Sequence, residues 1–341
     1  MSPLPAAPAP PRSPWQLVYG ALLARRARRL HRNAARLPRP VVSIGNLHWG
    51  GGGKTPLTMA VAAHLRDAGR AVAILSRGYL RRSRGALVVS AGDGPLLSVD
   101  EAGDEPYLMA SALAGVAVVV AERRLDAGRL ALAALPRAPE ILLLDDGFSH
   151  LALARDLDLL VFPAAEPWGR GRLAPRGFLR EPLAAVARAD AAVVTGGEPG
   201  EGDELARELG RFGFTGPGFA SSTVALAPVW LDGAPVPAGT RVYALAAIAH
   251  PESFFAAAER SGLLIAGREG FRDHWRYSDL DLRDLDRAAR AAGAEAILTT
   301  AKDRPKLSGR TALPLAVLPI EARPEPAFWR WLEAQLARLE P

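Results

Sequence analysis

Short, mostly apolar runs recur along the first 200 residues and alternate with segments of helical spacing. The runs cover residues 41–44, 71–75, 116–120, 141–144, 157–162 and 191–194. Continuous apolar character of this kind is typical of strands that are buried on both faces. Helical spacing follows the first run, over residues 57–65, and a further helix is predicted over roughly 126–135. The alternation predicts an α/β fold with a mostly parallel sheet and helices on both of its faces.

The pattern changes near residue 200, where residues 196–202 form a glycine-rich, acidic break. The elements predicted after the break are β-structure with turns over 212–237, a strand at 242–248, helices over 252–261 and 280–292, and a strand at 296–300. This renewed alternation predicts a second, smaller α/β domain. We therefore predict a first α/β domain over residues 37–200 and a C-terminal one over residues 201–341.

The N-terminal segment has a different pattern. Residues 1–13 are rich in Pro, Ala and Ser and predict a disordered lead. Over residues 14–36, apolar and basic side chains fall on different sides of a helical projection. The apolar side carries Trp15, Val18, Tyr19, Leu22, Leu23 and Leu30, and the basic side carries Arg25, Arg28, Arg29 and Arg32, with Arg26 at the edge.

This separation predicts an N-terminal amphipathic helix that lies on an anionic membrane surface. Its apolar part is too short to span a bilayer, for which about 20 residues are needed. A signal peptide would place its basic residues before the apolar segment, whereas here they follow it. The alternative is a surface helix that packs on the protein's own core and leaves its arginines in solvent.

Four consecutive glycines follow the first predicted strand and stand directly before Lys54 and Thr55. A strand, a glycine-rich turn, Lys-Thr and a helix are the parts of a phosphate-binding P-loop. Glycines let backbone N–H groups face phosphate oxygens, the lysine reaches the terminal phosphates, and the threonine hydroxyl binds Mg²⁺. The residues predicted to bind the nucleotide are His48, Trp49, Gly50, Gly51, Gly52, Gly53, Lys54 and Thr55.

One position departs from the usual P-loop spacing, because His48 occupies the place of the first glycine. The alternative interpretation is a flexible glycine linker with an accidental lysine. The composition argues against this alternative. Only three of the 42 residues that are Lys or Arg are lysines, and one of the three follows the longest glycine run of the chain.

Acidic residues stand at two further places where a P-loop enzyme would use them. Asp145 and Asp146 follow an apolar run, where a Walker-B aspartate holds Mg²⁺ together with the P-loop threonine, or where an Asx turn forms. Asp104 precedes a helix predicted to open at Tyr107, where a carboxylate either caps the helix or deprotonates a substrate hydroxyl. From the residues alone, capping is the better interpretation for Asp104, and a structural role among aromatic residues is the better one for His274.

Arginine makes up nearly all of the basic residues. Arg77, Arg123 and Arg124 follow predicted strand ends, where α/β sheets bind ligands, so they either neutralise substrate phosphates or form surface salt bridges. Further arginines occupy a long, Gly- and Pro-broken segment over 168–182, and loops of this length are often functional.

A net charge of +6 and a pI near 10.1 indicate an anionic partner, whether nucleic acid, anionic lipid or phosphorylated substrate. The absence of cysteine excludes disulfides and thiolate metal sites.

In combination and in this order, the motifs resemble the tetraacyldisaccharide 4'-kinase family of lipid A biosynthesis, over about residues 14–307. The matching segments are Ser43-Ile44-Gly45-Asn46, residues 50–56, Ser76-Arg77-Gly78-Tyr79, Gly103-Asp104-Glu105-Pro106, Leu144-Asp145-Asp146-Gly147-Phe148 with His150, residues 153–156, residues 173–182, Phe271 with Asp273-His274, and Leu298-Thr299-Thr300 with Lys302-Asp303. The family's P-loop also lacks the first glycine, which accounts for His48. The chain departs from the family at Gly52, Ser149, Ala249-His250 and Ala301, where Thr, Gln, Gly-Asn and Glu are usual.

The resemblance implies an ATP- and Mg²⁺-dependent kinase, bound peripherally at the cytoplasmic face of the bacterial inner membrane. Its substrate would be the 4'-hydroxyl of a tetraacylated glucosamine disaccharide 1-phosphate. In that family the aspartate matching Asp104 is the proposed base and the histidine matching His274 is its partner, so both are predicted to be catalytic, together with Lys54. We expect a monomer whose partners are this glycolipid and the membrane surface, without nucleic acid.

Two other classes of P-loop protein compete with this interpretation. A membrane-associated ATPase switch of the MinD-like type carries a lysine early in its glycine loop, where this chain has Trp49. A nucleic-acid-dependent ATPase would explain the positive charge, but the basic residues are spread out and show no recognition motif. The dependence of ATP turnover on an acylated disaccharide, on nucleic acid or on neither would distinguish the three.

Overall fold

The computed structural model describes residues 4, 5, 7, 8 and 14–339. The chain divides into two compact units, one formed by Met1–Thr223 with Ala322–Pro341 and the other by Val224–Glu321. The predicted disordered lead at residues 1–13 lies outside the described residues, apart from the four named above. Of those four, Leu4 and Ala7 are buried in an apolar cluster of the first unit.

The strands of the chain are, in order, β1 Val41–Gly45, β2 Val72–Ser76, β3 Leu87–Ser90, β4 Ala117–Val120, β5 Ile141–Asp145, β6 Leu157–Pro163, β7 Ala191–Thr195, β8 Gly218–Ala225, β9 Val229–Trp230, β10 Arg241–Ala246, β11 Leu264–Gly270, β12 Ala296–Thr300, β13 Leu315–Leu318 and β14 Ile320–Pro324. One sheet has nine strands in the order β14-β8-β7-β6-β1-β5-β2-β4-β3. From β8 to β4 every neighbouring pair is parallel, and β3 is antiparallel to β4. The predicted mostly parallel sheet is therefore confirmed.

The helices are α1 Pro14–Arg32, α2 Lys54–Asp67, α3 Val99–Ala102, α4 Asp104–Ala112, α5 Arg124–Ala134, α6 Glu201–Gly210, α7 Pro251–Glu259, α8 Asp279–Ala291, α9 Arg304–Leu307 and α10 Pro326–Ala337, with 3-10 turns at Gly169–Gly171 and Leu183–Arg188. Helices of the first unit cover both faces of the large sheet, and the alternating side chains of its strands pack against them on the two sides. Leu143 of β5 packs in one apolar cluster with residues of α2, α4 and α10, whereas its neighbour Leu142 packs in another with residues of α5.

The second unit contains the five-stranded sheet β11-β10-β12-β13-β9. Its strands are parallel except for β9, which is antiparallel to β13. Residues of α7 pack in one apolar cluster with β10 and β12, and residues of α8 pack in another. A second, smaller α/β unit is therefore present, as the renewed alternation predicts.

The boundary between the units differs from the predicted one at residues 200/201. Strand β8 is parallel to β7 and extends the large sheet, and the chain returns to the same sheet through β14. Helix α10 then packs on the face that also carries α2. The glycine-rich break at 196–202 is therefore the loop after β7 and not a linker between domains.

Helix α1 forms at the N-terminus and ends at Arg32, four residues before the predicted end. It buries Gln16 and the small residue Gly20, and Leu23 packs against an apolar cluster of the first unit, while five other large apolar side chains are exposed. Among them, Val18 is 62% exposed and Leu22 is 60% exposed. The described part of the chain includes no helix whose length and apolar character would suffice to cross a bilayer.

Candidate active site

The glycine loop joins the central strand β1 to helix α2, which begins at Lys54. Gly53 precedes the helix in the left-handed conformation, with φ of 73°, which glycine adopts without a steric penalty. A Cβ atom on Gly53 would lie only 2.8 Å from the Cβ of Thr195, so this position also requires the smallest residue. Gly50 has φ of 105°. The loop thus directs the N-terminus of α2 towards the carboxyl edge of the sheet, which is an anion-binding arrangement.

Lys54 reaches both the loop and the end of strand β5. Its Nζ atom lies 3.5 Å from the main-chain oxygen of Gly50 and 3.8 Å from Oδ1 of Asp146. Its side chain is 12% exposed, so little water shields the ammonium charge. The loop therefore presents a fixed positive charge next to one of the two predicted metal-binding carboxylates.

Asp145 ends β5 and is buried. Its carboxylate lies 3.5 Å from the hydroxyl of Thr58 and 3.3 Å from that of Ser76, and its main-chain oxygen accepts a hydrogen bond of 3.1 Å from Arg124. Burial, followed by the negative charges of Glu105 and Asp146, raises the pKa of Asp145 to about 7. Removing this carboxyl group from water disfavours its charged form.

Asp146 has the opposite electrostatic surroundings. Nη1 of Arg180 lies 2.9 and 2.8 Å from its two carboxylate oxygens. Nζ of Lys54 lies 3.8 Å from Oδ1 of the same carboxylate. Burial acts to raise the pKa of Asp146, but the charges of Lys54 and Arg180 outweigh it and hold the pKa below its ordinary value. The backbone of Asp146 has φ of 51°, which is uncommon for a residue other than glycine.

Arg180 is brought to this carboxylate by the long Gly/Pro-broken segment. Trp49 N donates to Phe178 O at 2.7 Å, and Arg180 N donates to Leu47 O at 2.6 Å, so the segment pairs with the beginning of the P-loop. The guanidinium also lies 4.8 Å from the centre of the Trp49 ring, which is 58% exposed. The sequence placed Arg180 in a functional loop but did not predict its contact with Asp146.

His48 lies inside this structure and does not face solvent. Burial and then the charge of Lys54 lower the pKa of His48 to about 4, so the imidazole is neutral. Its Nδ1 atom lies 3.3 Å from the side-chain amide nitrogen of Asn46. The histidine therefore supports the loop from within.

Ser149, one of the departures from the family, donates a hydrogen bond of 2.7 Å to Glu181.

Thr195, at the end of β7, is a site residue that the sequence analysis missed. Its hydroxyl donates to the main-chain oxygen of Gly52 at 2.8 Å, and the residue is buried. The contact fixes the last turn of the glycine loop before Lys54. The only signal in the sequence is a hydroxyl residue at the end of an apolar run, directly before Gly196 and Gly197.

The three arginines predicted to bind substrate have different environments. Arg124 is 4% exposed and donates to Asp145 O, and burial lowers its pKa to about 10, so it keeps its positive charge. Arg77 and Arg123 are exposed, and Arg123 lies 3.9 Å from Asp126. Burial and then the charge of Arg124 lower the pKa of His150 to about 4. Positive charge therefore accumulates beside the paired aspartates.

Asp104 and His274 belong to different units of the chain. Asp104 is the first residue of α4, which begins three residues before the predicted helix start, and Gly103 occupies the N-cap position. The next residue, Glu105, contributes to the raised pKa of Asp145, which relates the start of α4 to the end of β5. His274 lies in the second unit, in the left-handed conformation with φ of 61°.

The oxygen atoms of Thr55, Asp145 and Asp146 are the candidate metal ligands. Mg²⁺ prefers hard oxygen donors and usually takes only one or two carboxylates, with phosphates and water completing its coordination. Two adjacent carboxylates at the end of β5, beside the start of α2, match that donor set. Within the described residues, no group of three or more His, Cys, Asp or Glu side chains converges as a metal cage.

Comparison with known proteins gives one consistent result. The family model for tetraacyldisaccharide-1-P 4'-kinase matches residues 12–337. The chain is 43% identical over 324 residues to a tetraacyldisaccharide 4'-kinase of Anaeromyxobacter sp. (strain Fw109-5), covering 89% of this chain and 84% of that protein. It is 40% identical over 317 residues to the enzyme of the same name from Geobacter sulfurreducens, covering 90% and 87%.

A solved structure agrees with these relatives. The crystal structure of LpxK from Aquifex aeolicus in complex with ATP matches with a TM-score of 0.75 and 32% identity, and the match covers 96% of this chain and 97% of that one. These relatives give no support to the alternative of a MinD-like ATPase switch. The chain belongs to the tetraacyldisaccharide-1-P 4'-kinase family.

Proposed function

We propose that this protein transfers the γ-phosphate of ATP to the 4'-hydroxyl of a tetraacylated glucosamine disaccharide 1-phosphate. One observation carries the proposal. In a chain of this family, the P-loop lysine Lys54 and the paired carboxylates Asp145 and Asp146 meet at the carboxyl end of the central strands. Phosphoryl transfer depends mainly on positioning and on electrostatic stabilisation, and these groups supply both.

The residues of the loop would hold the triphosphate. The N–H groups of Gly50 to Gly53 and the N-terminus of α2 face the phosphate oxygens, and Lys54 adds a charge that opposes the negative charge developing in the transition state. Mg²⁺ held by Thr55, Asp145 and Asp146 would neutralise charge on the β- and γ-phosphates. Nη1 of Arg180 lies 2.8 Å from Oδ2 of Asp146, so a further positive charge stands at this edge of the site.

The acceptor hydroxyl needs a base. As the 4'-oxygen bonds to the γ-phosphorus, the bond from that phosphorus to the β–γ bridging oxygen breaks and ADP leaves. Asp104 takes the proton of the hydroxyl, and His274 supports Asp104 in this role. Asp104 is the first residue of α4, and its neighbour Glu105 acts electrostatically on Asp145 at the end of β5, which supports a position of α4 beside the paired aspartates.

The arginines fit an anionic, phosphorylated acceptor. Arg77 and Arg123 are exposed near the buried Arg124, so they can contact a substrate phosphate while Arg124 maintains the positive field from below. A guanidinium binds phosphate through two parallel hydrogen bonds, which fixes orientation as well as position. No nucleic-acid partner is needed to account for these charges.

A tetraacylated substrate remains in the bilayer, so the enzyme must work at a membrane surface. Helix α1 presents Trp15, Val18 and Leu22 to solvent and carries its arginines in the same helix. Exposed large apolar residues beside arginines are typical of helices that lie in the interface of an anionic membrane. We propose that the protein acts as a monomer bound peripherally at the cytoplasmic face of the inner membrane, and the exposed apolar and basic residues of α1 support its contact with a membrane surface.

The experiment is transfer of radiolabelled γ-phosphate from ATP to the purified tetraacyl disaccharide 1-phosphate in mixed micelles. Labelled product should form with this acceptor and not with an analogue that lacks the 4'-hydroxyl. The variant Lys54→Ala should lose about 10²–10³-fold or more in kcat, whereas Arg287→Ala, which removes an exposed charge in the second unit, should retain wild-type kcat. ATP hydrolysis that ignores the acceptor, with no labelled lipid, would contradict the proposal.

A further inference from the structure

The chain uses lysine at only three positions among its 42 residues that are Lys or Arg. One is Lys54 in the P-loop. The other two, Lys302 and Lys306, follow strand β12 within five residues of one another, in the second unit. Two of the three lysines of this arginine-rich chain therefore lie within one short segment of the second unit. Both contact another short segment, Asp273 to Trp275.

Lys306 holds the backbone of this segment. Its Nζ atom lies 3.1 Å from Oδ1 of Asp303 and donates to the main-chain oxygen of Trp275 at 3.3 Å. Asp303 is fully buried, and its other carboxylate oxygen accepts from Ala247 N at 2.9 Å and from the Thr300 hydroxyl at 2.8 Å. The segment is thereby attached to the carboxyl ends of β10 and β12.

Lys302 contacts the side chains of the same segment. Its Nζ atom lies 2.8 Å from Oδ1 of Asp273 and 3.3 Å from Nε2 of His274. An ammonium group carries three hydrogens and no lone pair, so it can only donate, and Nε2 must accept. The hydrogen of the neutral ring then resides on Nδ1. Lys302 is mostly buried, with 15% of its side chain exposed, so water competes little for this contact.

Asp273 would select the opposite tautomer if Lys302 were absent. Its Oδ2 atom lies 3.7 Å from Nε2 of His274, and a carboxylate can only accept a hydrogen bond. With Lys302 in place, the ammonium lies between the carboxylate and the ring nitrogen and satisfies both. Without it, a small movement would let Nε2–H donate to Asp273. The contact with Lys302 therefore favours the Nδ1–H tautomer of His274, and the contact with Asp273 favours the Nε2–H tautomer.

The backbone of His274 has φ of 61°, a conformation that is sterically unfavourable for a residue other than glycine. It is one of four residues other than glycine with positive φ within the described part of the chain. Residues held in this region persist only where their surroundings determine them, and they concentrate at functional sites. Two lysines hold His274 in this conformation. Lys306 donates to the main-chain oxygen of the next residue, Trp275, and Lys302 contacts the imidazole ring.

We infer that Lys302 is a positioning residue that fixes the Nδ1–H tautomer of His274, while Lys306 holds the turn that carries it. The consequence for catalysis rests on the proposed function, in which His274 supports the base Asp104. An imidazole in the wrong tautomer presents an acceptor where a donor is required, so the support is lost although the ring stays in place.

The test is ring ¹⁵N NMR of the full-length protein labelled in histidine, with His274→Gln used to identify the resonances. In the wild type, Nε2 of His274 should appear as an unprotonated acceptor and Nδ1 as the protonated nitrogen. Lys302→Met should move the hydrogen to Nε2. Lys302→Arg keeps a donor-only group and should retain the wild-type tautomer. Lys306→Met, the matched control, should lower the thermal midpoint without moving the hydrogen.

Activity provides a second readout. In Lys302→Met, kcat should fall about tenfold or more at an almost unchanged KM for ATP, and Lys302→Arg should recover most of it. An unchanged tautomer in folded Lys302→Met, or Nε2–H already present in the wild type, would overturn the inference. Because the NMR result does not depend on turnover, it stands or falls separately from the proposed kinase activity. If the tautomer moves and kcat does not, the role in catalysis is refuted.

Discussion

Asp145 and Asp146 are neighbours in the sequence, but their carboxyl groups have pKa values shifted in opposite directions. Burial and the nearby acids raise the pKa of Asp145 to about 7, whereas Lys54 and Arg180 hold that of Asp146 below its ordinary value. Near neutral pH, Asp146 is therefore ionised and Asp145 can gain or lose a proton. This difference leads to two predictions.

The first concerns stability and pH in the metal-free protein. Between about pH 4 and pH 7, native Asp145 binds more proton than unfolded Asp145, so its contribution to the free energy of unfolding falls as pH rises. His48 and His150 have lowered pKa values and act in the opposite direction, so the wild-type profile mixes both effects. The comparison with Asp145→Asn isolates the aspartate.

Denaturant unfolding of both proteins in the presence of a chelator measures this effect. The stability of Asp145→Asn relative to wild type should increase from pH 4 to pH 7 and then remain constant. A difference that does not vary with pH would mean that Asp145 has an ordinary pKa in the folded protein.

The second prediction concerns metal dependence. Asp145→Asn and Asp146→Asn should each raise the Mg²⁺ concentration needed for half-maximal turnover, because each removes a negatively charged oxygen ligand. The exposed Asp93→Asn removes one charge elsewhere and should leave the Mg²⁺ titration unchanged. Unchanged titrations in both site variants would exclude the proposed metal role.

A third prediction follows from the hydrogen bond of Thr195 to Gly52. Thr195→Val keeps the shape of the side chain but leaves a buried main-chain oxygen without its donor, which costs about 1–3 kcal/mol. We expect KM for ATP to rise about tenfold, which corresponds to about 1.4 kcal/mol, with a smaller change in kcat. Thr195→Ser retains the hydroxyl and should retain ATP affinity.

The second unit offers a matched control for this experiment. Thr299 is also buried at the end of a strand, and its hydroxyl also donates to a main-chain oxygen, that of Leu245. Thr299→Val should lower the thermal midpoint by a similar amount without changing KM for ATP. If both variants change KM equally, the contact of Thr195 with the P-loop has no special role.

A fourth prediction tests the surface of helix α1. Replacing Trp15 and Leu22 by serine removes exposed apolar side chains and leaves the buried Gln16 and Gly20 unchanged. The variant should fold normally but shift from anionic vesicles to the soluble fraction in a sedimentation assay. Leu264→Ser, an exposed leucine of the second unit, is the control and should still sediment. Raised salt should also release part of the wild-type protein, because the arginines contribute an electrostatic attraction.

The fifth prediction concerns Asp104 and His274. Residues that act together in one catalytic step have non-additive effects. Asp104→Ala and His274→Ala should each reduce kcat strongly, and the double variant should be little worse than the poorer single one. ATP binding should survive in all three, because neither residue belongs to the P-loop. Losses that multiply would show that the two residues act independently, and full kcat with a lowered thermal midpoint in His274→Ala would leave that histidine a structural role.

The sequence by itself determined the elements whose causes are local. The run of four glycines before Lys54 identified the P-loop, because positive φ at Gly50 and Gly53 and the start of α2 depend on adjacent residues. Continuous apolar runs identified the parallel strands, because a strand that helices cover on both faces of the sheet carries apolar side chains on both faces. Asp145 and Asp146 were located in the same way, at the end of such a run.

Contacts between distant residues depended on the tertiary structure. Arg180 lies 34 residues from Asp146, and Thr195 lies 143 residues from Gly52, so no local pattern relates them. The opposite pKa shifts of two adjacent aspartates arise from burial and from charges delivered by other elements. The return of β14 and α10 to the first unit was also undetermined by the sequence, because a strand's position in a sheet depends on which edge remains unpaired once the other strands are in place.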